Sequence, residues 1–237
     1  MRKTTLCRLA FILALALASS ANADGIADWL NAIQTSNPGY VKTQILTPTV
    51  DDIGNYSLAT GGGVTYEFIY NADVGGVSSA LMGAGYAPGN VGSDPGGLKL
   101  DQCCNTGKFG VTLFGAYDVN FATDSIFGVD TQAVFVMNGT GAELYVNGVL
   151  ADTVNSSFLI SGSVGIGQAY DNSTGGFDQL NGAILGVAVY DSALTAATIR
   201  NHYNAFVVPE PSALILVSSG LGGLAMIRRA RRLENER

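Results

Sequence analysis

Cleavage of a glycosidic bond would depend on the carboxylates of the chain. That reaction needs two acidic side chains about 5 to 9.5 Å apart, one acting as the acid and the other as base or nucleophile. Between residues 24 and 206 the only glutamates are Glu67 and Glu143, and each stands alone on its own strand-like run. The sequence therefore predicts no catalytic residues. A hydrolase or lyase that uses aspartates instead is the alternative.

A histidine-based relay and a zinc site both depend on one residue. His202 is the only histidine, so a Ser-His-Asp relay or a His-Cys zinc site would have to include it. It stands between Arg200 and Tyr203 in a segment with helical periodicity. This position favours a surface or packing role.

Loop oxygens suggest one cofactor, calcium. Asp171, Asn172 and Asp178 surround the flexible pair Gly175-Gly176. Carboxylate and amide oxygens on loops are the ligands that Ca²⁺ takes in proteins. The same residue types also build ordinary turns, which is the alternative.

Two aromatic residues flank this loop, and they could contact a ligand. Tyr170 precedes it and Phe177 follows the glycine pair. Aromatic rings at such positions can stack on sugar rings, although most aromatics at a sheet edge serve packing. We expect these two side chains to be the ligand-binding residues.

The elements that must position these residues are short strands. Runs rich in Val, Ile, Tyr, Phe and Thr alternate with Gly, Asn and Asp from residue 64 onward, which is typical of an antiparallel sandwich or barrel. The nine runs span residues 64–70, 78–86, 97–102, 109–117, 132–137, 142–146, 149–154, 163–169 and 182–190.

Helical patterns stand at both ends of this body. Residues 24–34 have apolar positions at helical spacing, and Asn37-Pro38-Gly39 follows as a stop signal. A second helical stripe begins after Ser192, which we expect to be its N-cap.

One hairpin can be predicted with its register. Asn147-Gly148 lies between two strand-like runs, and both residues tolerate the positive φ of a type I′ turn. This turn places Val146 opposite Val149 and Leu144 opposite Ala151.

The charge of the body excludes nucleic acid as a partner. Between Asp24 and Ser212 there are four basic and seventeen acidic residues, so the formal charge is 4 − 17 = −13, against −7 for the whole chain. A body this acidic repels phosphate backbones.

The two cysteines of the body, Cys103 and Cys104, are adjacent and offer no fold-defining disulfide.

Both ends of the chain are hydrophobic. Residues 1–23 combine early basic residues, an apolar stretch and a small-residue end, which predicts a signal peptide cut by signal peptidase. Near the other end, the apolar run 213–227 would reach only about 22 Å as a helix, against a hydrocarbon core of about 30 Å. The basic residues Arg228, Arg229, Arg231 and Arg232 follow it at once, and the positive-inside rule keeps them cytoplasmic.

The C-terminal segment resembles a known sorting signal. Val208, Pro209, Glu210 and Pro211 precede the apolar run and the arginines, as in the PEP-CTERM signal of exported bacterial proteins. The resemblance implies recognition by an exosortase, transient anchoring in the inner membrane, and release to the cell surface or beyond in bacteria that make extracellular polysaccharide.

The body resembles the laminin-G-like, concanavalin A-like jelly rolls. The resemblance rests on "LYVNG" at 144–148, "GAI" at 182–184 and the "VYDSAL" region that leads into the closing helix. It implies a two-sheet sandwich that binds glycan or protein ligands, often with calcium, although the fold also carries enzymes.

These features predict four parts and one function. The parts are a signal peptide (1–23), a helix with a lead-in strand (24–62), an all-β antiparallel jelly-roll sandwich (63–206), and a sorting signal with a single short hydrophobic helix (207–237). We expect a non-catalytic surface or matrix protein that binds extracellular polysaccharide or surface proteins. A polysaccharide-acting enzyme and a purely structural matrix component are the alternatives.

Overall fold

The computed structural model describes eight stretches of the chain, namely residues 25–58, 62–73, 78–84, 96–101, 106–114, 117–157, 159–171 and 175–207. The chain divides into two units. One is Asn31–Tyr203 and contains every described strand. The other comprises Met1–Leu30 and Asn204–Arg237, of which 25–30 and 204–207 are described. The signal peptide, both cysteines of the body and the sorting signal from Val208 onward lie outside the described residues.

Fourteen strands and two helices occur in the described stretches. Helix α1 spans residues 25–34 and helix α2 spans Ala196–Val207. The strands are β1 (Tyr40–Ile45), β2 (Thr49–Asp52), β3 (Val64–Ala72), β4 (Ala80–Ala84), β5 (Gly96–Lys99), β6 (Lys108–Leu113), β7 (Tyr117–Asp124), β8 (Thr131–Met137), β9 (Ala142–Val146), β10 (Val149–Val154), β11 (Ser163–Ile166), β12 (Ala169–Asp171), β13 (Gly175–Phe177) and β14 (Gly182–Tyr190).

The strands form two sheets. The six-stranded sheet has the order β1-β14-β3-β8-β9-β10. The eight-stranded sheet has the order β13-β12-β4-β5-β6-β7, and β11 joins it by pairing with β4 and β2. Every pairing is antiparallel except that of β12 with β4. The predicted all-β antiparallel sandwich with a short helix at each end is confirmed. Within the described stretches, no helix has both the length and the apolar character needed to cross a bilayer.

Aromatic rings from both sheets meet in the core. Phe135 of β8 contacts Phe68 on the neighbouring strand, with ring centroids 6.3 Å apart and nearly perpendicular planes. From the eight-stranded sheet, Phe109 and Phe121 reach the same ring at 6.3 and 6.0 Å. All four side chains are fully buried. Such tilted aromatic contacts add to the stabilisation from apolar burial, so Phe135 is a central link between the sheets.

The lead-in segment supplies a strand to each sheet. β1 pairs with β14 in the six-stranded sheet, and β2 pairs with β11 in the eight-stranded sheet. The carboxylate Oδ2 of Asp51 on β2 accepts hydrogen bonds from Lys42 Nζ (2.8 Å) and the Tyr40 hydroxyl (3.0 Å), both on β1. The bond from Lys42 is the main reason that the pKa of Asp51 is lowered. This cluster ties the two sheets together at one edge.

The β9–β10 hairpin confirms the predicted turn and corrects the predicted register. Asn147 and Gly148 have φ of 50° and 75°, as a type I′ turn requires. Val146 pairs with Val149 as expected. Leu144, however, pairs with Asp152, because a bulge between Leu150 and Asp152 removes Ala151 from the ladder.

The cap of α2 also differs from the prediction. Thr195 Oγ1 accepts a hydrogen bond from the backbone N–H of Thr198 at 3.2 Å, so Thr195 and not Ser192 caps the helix. The Ser192 carbonyl instead accepts a hydrogen bond from the Thr65 hydroxyl on β3.

We expect Gly148→Ala to destabilise the protein by about 2 to 3 kcal/mol. A left-handed conformation costs an alanine about 1 to 2 kcal/mol, and the added Cβ would lie only 3.1 Å from Tyr203 Cβ. Gly128 is the matched control, since it has the same φ of 75° and no atom within 4 Å of an added Cβ. Urea unfolding should show only this conformational cost, about 1 to 2 kcal/mol, for Gly128→Ala. Equal costs for the two variants would contradict this account of the turn.

Candidate functional site

The eight-stranded sheet has one face turned away from the core. Leu98 on β5 pairs with Val111 on β6, and both side chains belong to the core. Because side chains alternate along a strand, Gly97, Lys99 and Thr112 point to the opposite side. We call this side the outer face.

Two phenylalanines contact each other on the outer face. Phe114 follows β6 and Phe177 ends β13; their ring centroids are 5.2 Å apart at an interplanar angle of 68°. Both are partly exposed. A Cβ added to Gly97 would lie 3.2 Å from Phe114 Cζ, so the ring lies directly over a residue without a side chain. We refer to Phe114 and Phe177 as the aromatic patch.

A buried ion pair lies beside the aromatic patch. Lys99 Nζ is 2.6 Å from Asp178 Oδ2 and 5.1 Å from the centroid of the Phe114 ring. The Lys99 side chain is only 4% exposed, whereas that of Asp178 is 23% exposed. The positive charge is therefore compensated by a carboxylate and by an aromatic face, while the carboxylate keeps some contact with solvent.

Polar side chains continue along the outer face from the aromatic patch. Asp118 pairs with Thr112 and Asn120 pairs with Gly110 across the β6–β7 ladder, so both point outward. Asp118 and Asn120 are exposed, and Asp118 Oδ1 accepts a hydrogen bond from the Thr112 hydroxyl at 2.8 Å. The outer face thus combines aromatic rings with exposed carboxylate and amide groups.

The structure separates the two aromatic residues that the sequence suggested as a ligand-binding pair. In the β12–β13 ladder Phe177 pairs with Ala169, whereas Tyr170 pairs with Gly176. Neighbouring positions along a strand point to opposite faces, so Phe177 lies on the outer face and Tyr170 on the other side of the same hairpin. One flat ligand surface cannot include both rings.

Of the three residues suggested for calcium, two lie in the described stretches. Asp178 holds the Lys99 ammonium, Asp171 is buried in β12, and Asn172 lies outside the described residues. In the part of the chain that the structure describes, no three His, Cys, Asp or Glu residues form a group that could hold a metal ion.

Sequence reasoning missed Phe114 and Lys99 as site residues. The alternation in "GLKL" at 97–100 and "VTLF" at 111–114 carried the signal, because it separates a core-facing set from an outward-facing set. What the alternation could not supply was the β12–β13 hairpin, which brings Phe177 and Asp178 to the same face.

A second cluster of polar groups lies on the six-stranded sheet. Glu67 on β3 is fully buried. Its Oε1 accepts a hydrogen bond from Gln132 Nε2 (2.7 Å), and its Oε2 accepts one from the Tyr190 hydroxyl (2.9 Å) and lies 2.8 Å from His202 Nδ1. His202 is 1% exposed and stacks on Tyr190, with ring centroids 6.0 Å apart. Burial, followed by the nearby Glu67 carboxylate, raises the pKa of Tyr190.

This cluster extends to a serine. Ser36 Oγ lies 3.0 Å from His202 Nε2, so serine, histidine and glutamate follow one another as in a hydrolase relay. The relay reaction also needs a free backbone donor for the oxyanion and access for the substrate. The Ser36 N–H already donates to the Ile33 carbonyl at 2.9 Å, and the imidazole is enclosed. We infer that the cluster links α2 and the Ser36 turn to the sheet, which agrees with the packing role expected for His202.

Comparison with known proteins identifies the family. The model of the concanavalin A-like lectin/glucanases superfamily matches residues 29–200. No curated protein sequence matches the chain.

Solved structures share the fold at low identity. CBM40 of the Ruminococcus gnavus IT-sialidase, bound to α2,3-sialyllactose, is 15% identical with a TM-score of 0.53, and the match covers 69% of this chain and 98% of that one. The NanB sialidase of Streptococcus pneumoniae is 16% identical with a TM-score of 0.51, and the match covers 69% of this chain but only 28% of NanB. From the family match over residues 29–200, the chain belongs to the concanavalin A-like lectin/glucanases superfamily.

Proposed function

We propose that the domain binds glycans, without catalysis, on the outer face of the eight-stranded sheet. The observation that carries the proposal is the aromatic patch, whose partly exposed rings stand beside exposed carboxylate and amide groups on one face. Sugar rings present apolar C–H faces and polar hydroxyl edges, and such ligands are held by aromatic surface together with a few fixed polar groups. The similarity to CBM40, a sialidase carbohydrate-binding module solved with sialyllactose, supports glycans in general as the ligands.

The glycines of the outer face make room for the aromatic patch. Gly83 pairs with Gly97 on the neighbouring strand, and neither carries a side chain that would stand above the sheet. The Phe114 ring occupies the space above Gly97, and a Cβ added to Gly83 would lie 2.9 Å from Ala169 Cβ, so the rings themselves form the surface that a ligand would meet. Close approach of another group to the backbone is a common reason for glycine in a strand.

The two glutamates of the body support a role without catalysis. Glu67 is enclosed in the cluster with Gln132, Tyr190 and His202. Glu143 lies on the six-stranded sheet and accepts a hydrogen bond from the Tyr145 hydroxyl at 2.7 Å. Neither glutamate is on the outer face, where a bound glycan would lie.

A glycan array tests this function directly. We expect the purified protein to retain a subset of immobilised glycans, and to release no new reducing ends from them over hours at neutral pH. Failure to bind any glycan class would contradict the proposed binding. Release of reducing ends would contradict the proposed absence of catalysis.

We also propose that the protein is exported and then sorted at the membrane. The support is the signal-peptide pattern of residues 1–23, together with Val208-Pro209-Glu210-Pro211 and the arginines that follow the apolar run. Signal peptidase and an exosortase are then its processing partners, and the inner membrane, followed by the cell surface or the extracellular matrix, is its location. Replacing Pro209, Glu210 and Pro211 with alanine should leave the full-length chain in the inner membrane. Unchanged cleavage in that variant would contradict the sorting proposal.

A further inference from the structure

We infer that the glycan bound by the outer face is electrically neutral, so that sugars carrying carboxylates or sulfates are poor ligands. This inference rests on the proposed function and narrows its ligand class. It follows from where the few cations of the domain lie and from what already occupies them.

Every lysine between residues 24 and 207 is paired with an aspartate. Lys99 is bound to Asp178 at 2.6 Å, as described above. Lys42 is bound to Asp51 at 2.8 Å, and Lys108 is bound to Asp124 at 2.7 Å. Lys99 is 4% exposed, so an anionic sugar would have to displace Asp178 to reach it. The more exposed Lys42 and Lys108 already have their charge compensated by Asp51 and Asp124.

The remaining cationic residue of this region lies on the other sheet. Arg200 is in α2, next to Ile199. Ile199 packs in a cluster with Val134, Val136 and Tyr145, which belong to the six-stranded sheet. The Arg200 guanidinium is thus on the far side of the sandwich from the outer face.

The internal segments outside the described residues add no cationic side chain. The internal segments 59–61, 74–77, 85–95, 102–105, 115–116, 158 and 172–174 contain no lysine, arginine or histidine. One of them contains an acidic residue, Asp94. Whatever conformation these segments take, they bring no cation to the outer face.

The polar groups of the outer face suit hydroxyl donors. Ionised carboxylates such as those of Asp118 and Asp178 only accept hydrogen bonds, and sugar hydroxyls donate them. A sugar carboxylate would meet like charge there, and desolvating it without a cationic partner is costly. The charge of −13 between residues 24 and 212 adds long-range repulsion of polyanions at low salt.

Matched polymers that differ only in their carboxylates test the inference. We would measure binding of the full-length protein with Arg228, Arg229, Arg231 and Arg232 replaced by glutamine, in detergent buffer with EDTA. The ligands are polygalacturonate and the same polymer after its carboxyl groups have been reduced to alcohols. Neutral β-glucan, mannan and galactan would be measured alongside, each at 20 and 200 mM NaCl. EDTA removes divalent cations that could bridge two carboxylates.

The result expected is at least tenfold tighter binding to one or more neutral polymers than to polygalacturonate. The affinity for the neutral polymer should change less than twofold between the two salt concentrations. Tighter binding to polygalacturonate than to its reduced form would overturn the inference and leave glycan binding intact. Binding to none of the polymers, charged or neutral, and to nothing on the glycan array would overturn the proposed function itself.

Discussion

Replacing Glu67 with alanine is expected to destabilise the protein by about 3 to 5 kcal/mol, the range found when one member of a buried polar pair or network is removed. The substitution deprives three buried groups, on Gln132, Tyr190 and His202, of the carboxylate that they contact at 2.7 to 2.9 Å. Each unsatisfied buried polar group costs about 1 to 3 kcal/mol. The loss should also loosen α2, because His202 of this helix contacts Glu67 of the sheet.

Glu143→Ala is the matched control for this variant. Glu143 lies on the same sheet, but it is only half-buried, and its carboxylate accepts a hydrogen bond from the Tyr145 hydroxyl. We expect its loss to cost less than about 1 kcal/mol. Both costs would be measured by urea unfolding followed by tryptophan fluorescence. A Glu67→Ala variant as stable as Glu143→Ala would show that the Glu67 cluster does not hold the helix.

The second large effect is expected on ligand binding. Phe177→Ala should weaken glycan binding by about 2 kcal/mol, or roughly 30-fold, because central aromatic anchors carry most of the affinity of an interface. Phe114→Ala should do the same, since the two rings form one patch with centroids 5.2 Å apart. Binding would be measured by isothermal titration calorimetry with the tightest ligand from the glycan array.

Tyr170→Ala provides the control for the aromatic patch. Tyr170 is in the same hairpin as Phe177 but points to the opposite face, so its loss should change affinity by less than twofold. The melting temperature of each variant would show that the domain remains folded. Loss of binding in Tyr170→Ala with full binding in Phe177→Ala would contradict the proposal, because the ligand would then bind on the Tyr170 side of the hairpin.

The fold was predictable from the sequence because its strands form short apolar runs that Gly, Asn and Asp separate. β3 and β8 carry long apolar runs, and the Asn147-Gly148 turn determines the type of the hairpin between β9 and β10. β7 was assigned no run of its own because its outward positions are Asp118, Asn120 and other polar residues, which hide the core-facing Val119 and Phe121. β12 and β13 have three residues each, too few for a period to show.

The sites were less predictable, since topology decides which residues meet. Phe177 was recognised, but its contact Phe114 lies 63 residues away in the chain, and the β4–β5–β6 ladder is what brings the two together. Glu67 and His202 are separated by 135 residues. No local pattern encodes such a pair. The bulge at Ala151 was missed because the residue pattern around it is equally compatible with a regular hairpin.

The central claim is that the ligand binds on the outer face of the eight-stranded sheet. The most direct measurement is the change in backbone amide chemical shifts when a neutral oligosaccharide from the array is titrated into the isotope-labelled protein. The account predicts that the largest changes fall at Phe114, Phe177 and Asp178, with the β9–β10 hairpin of the other sheet unaffected. Changes confined to the six-stranded sheet, with the outer face silent at saturating ligand, would contradict it.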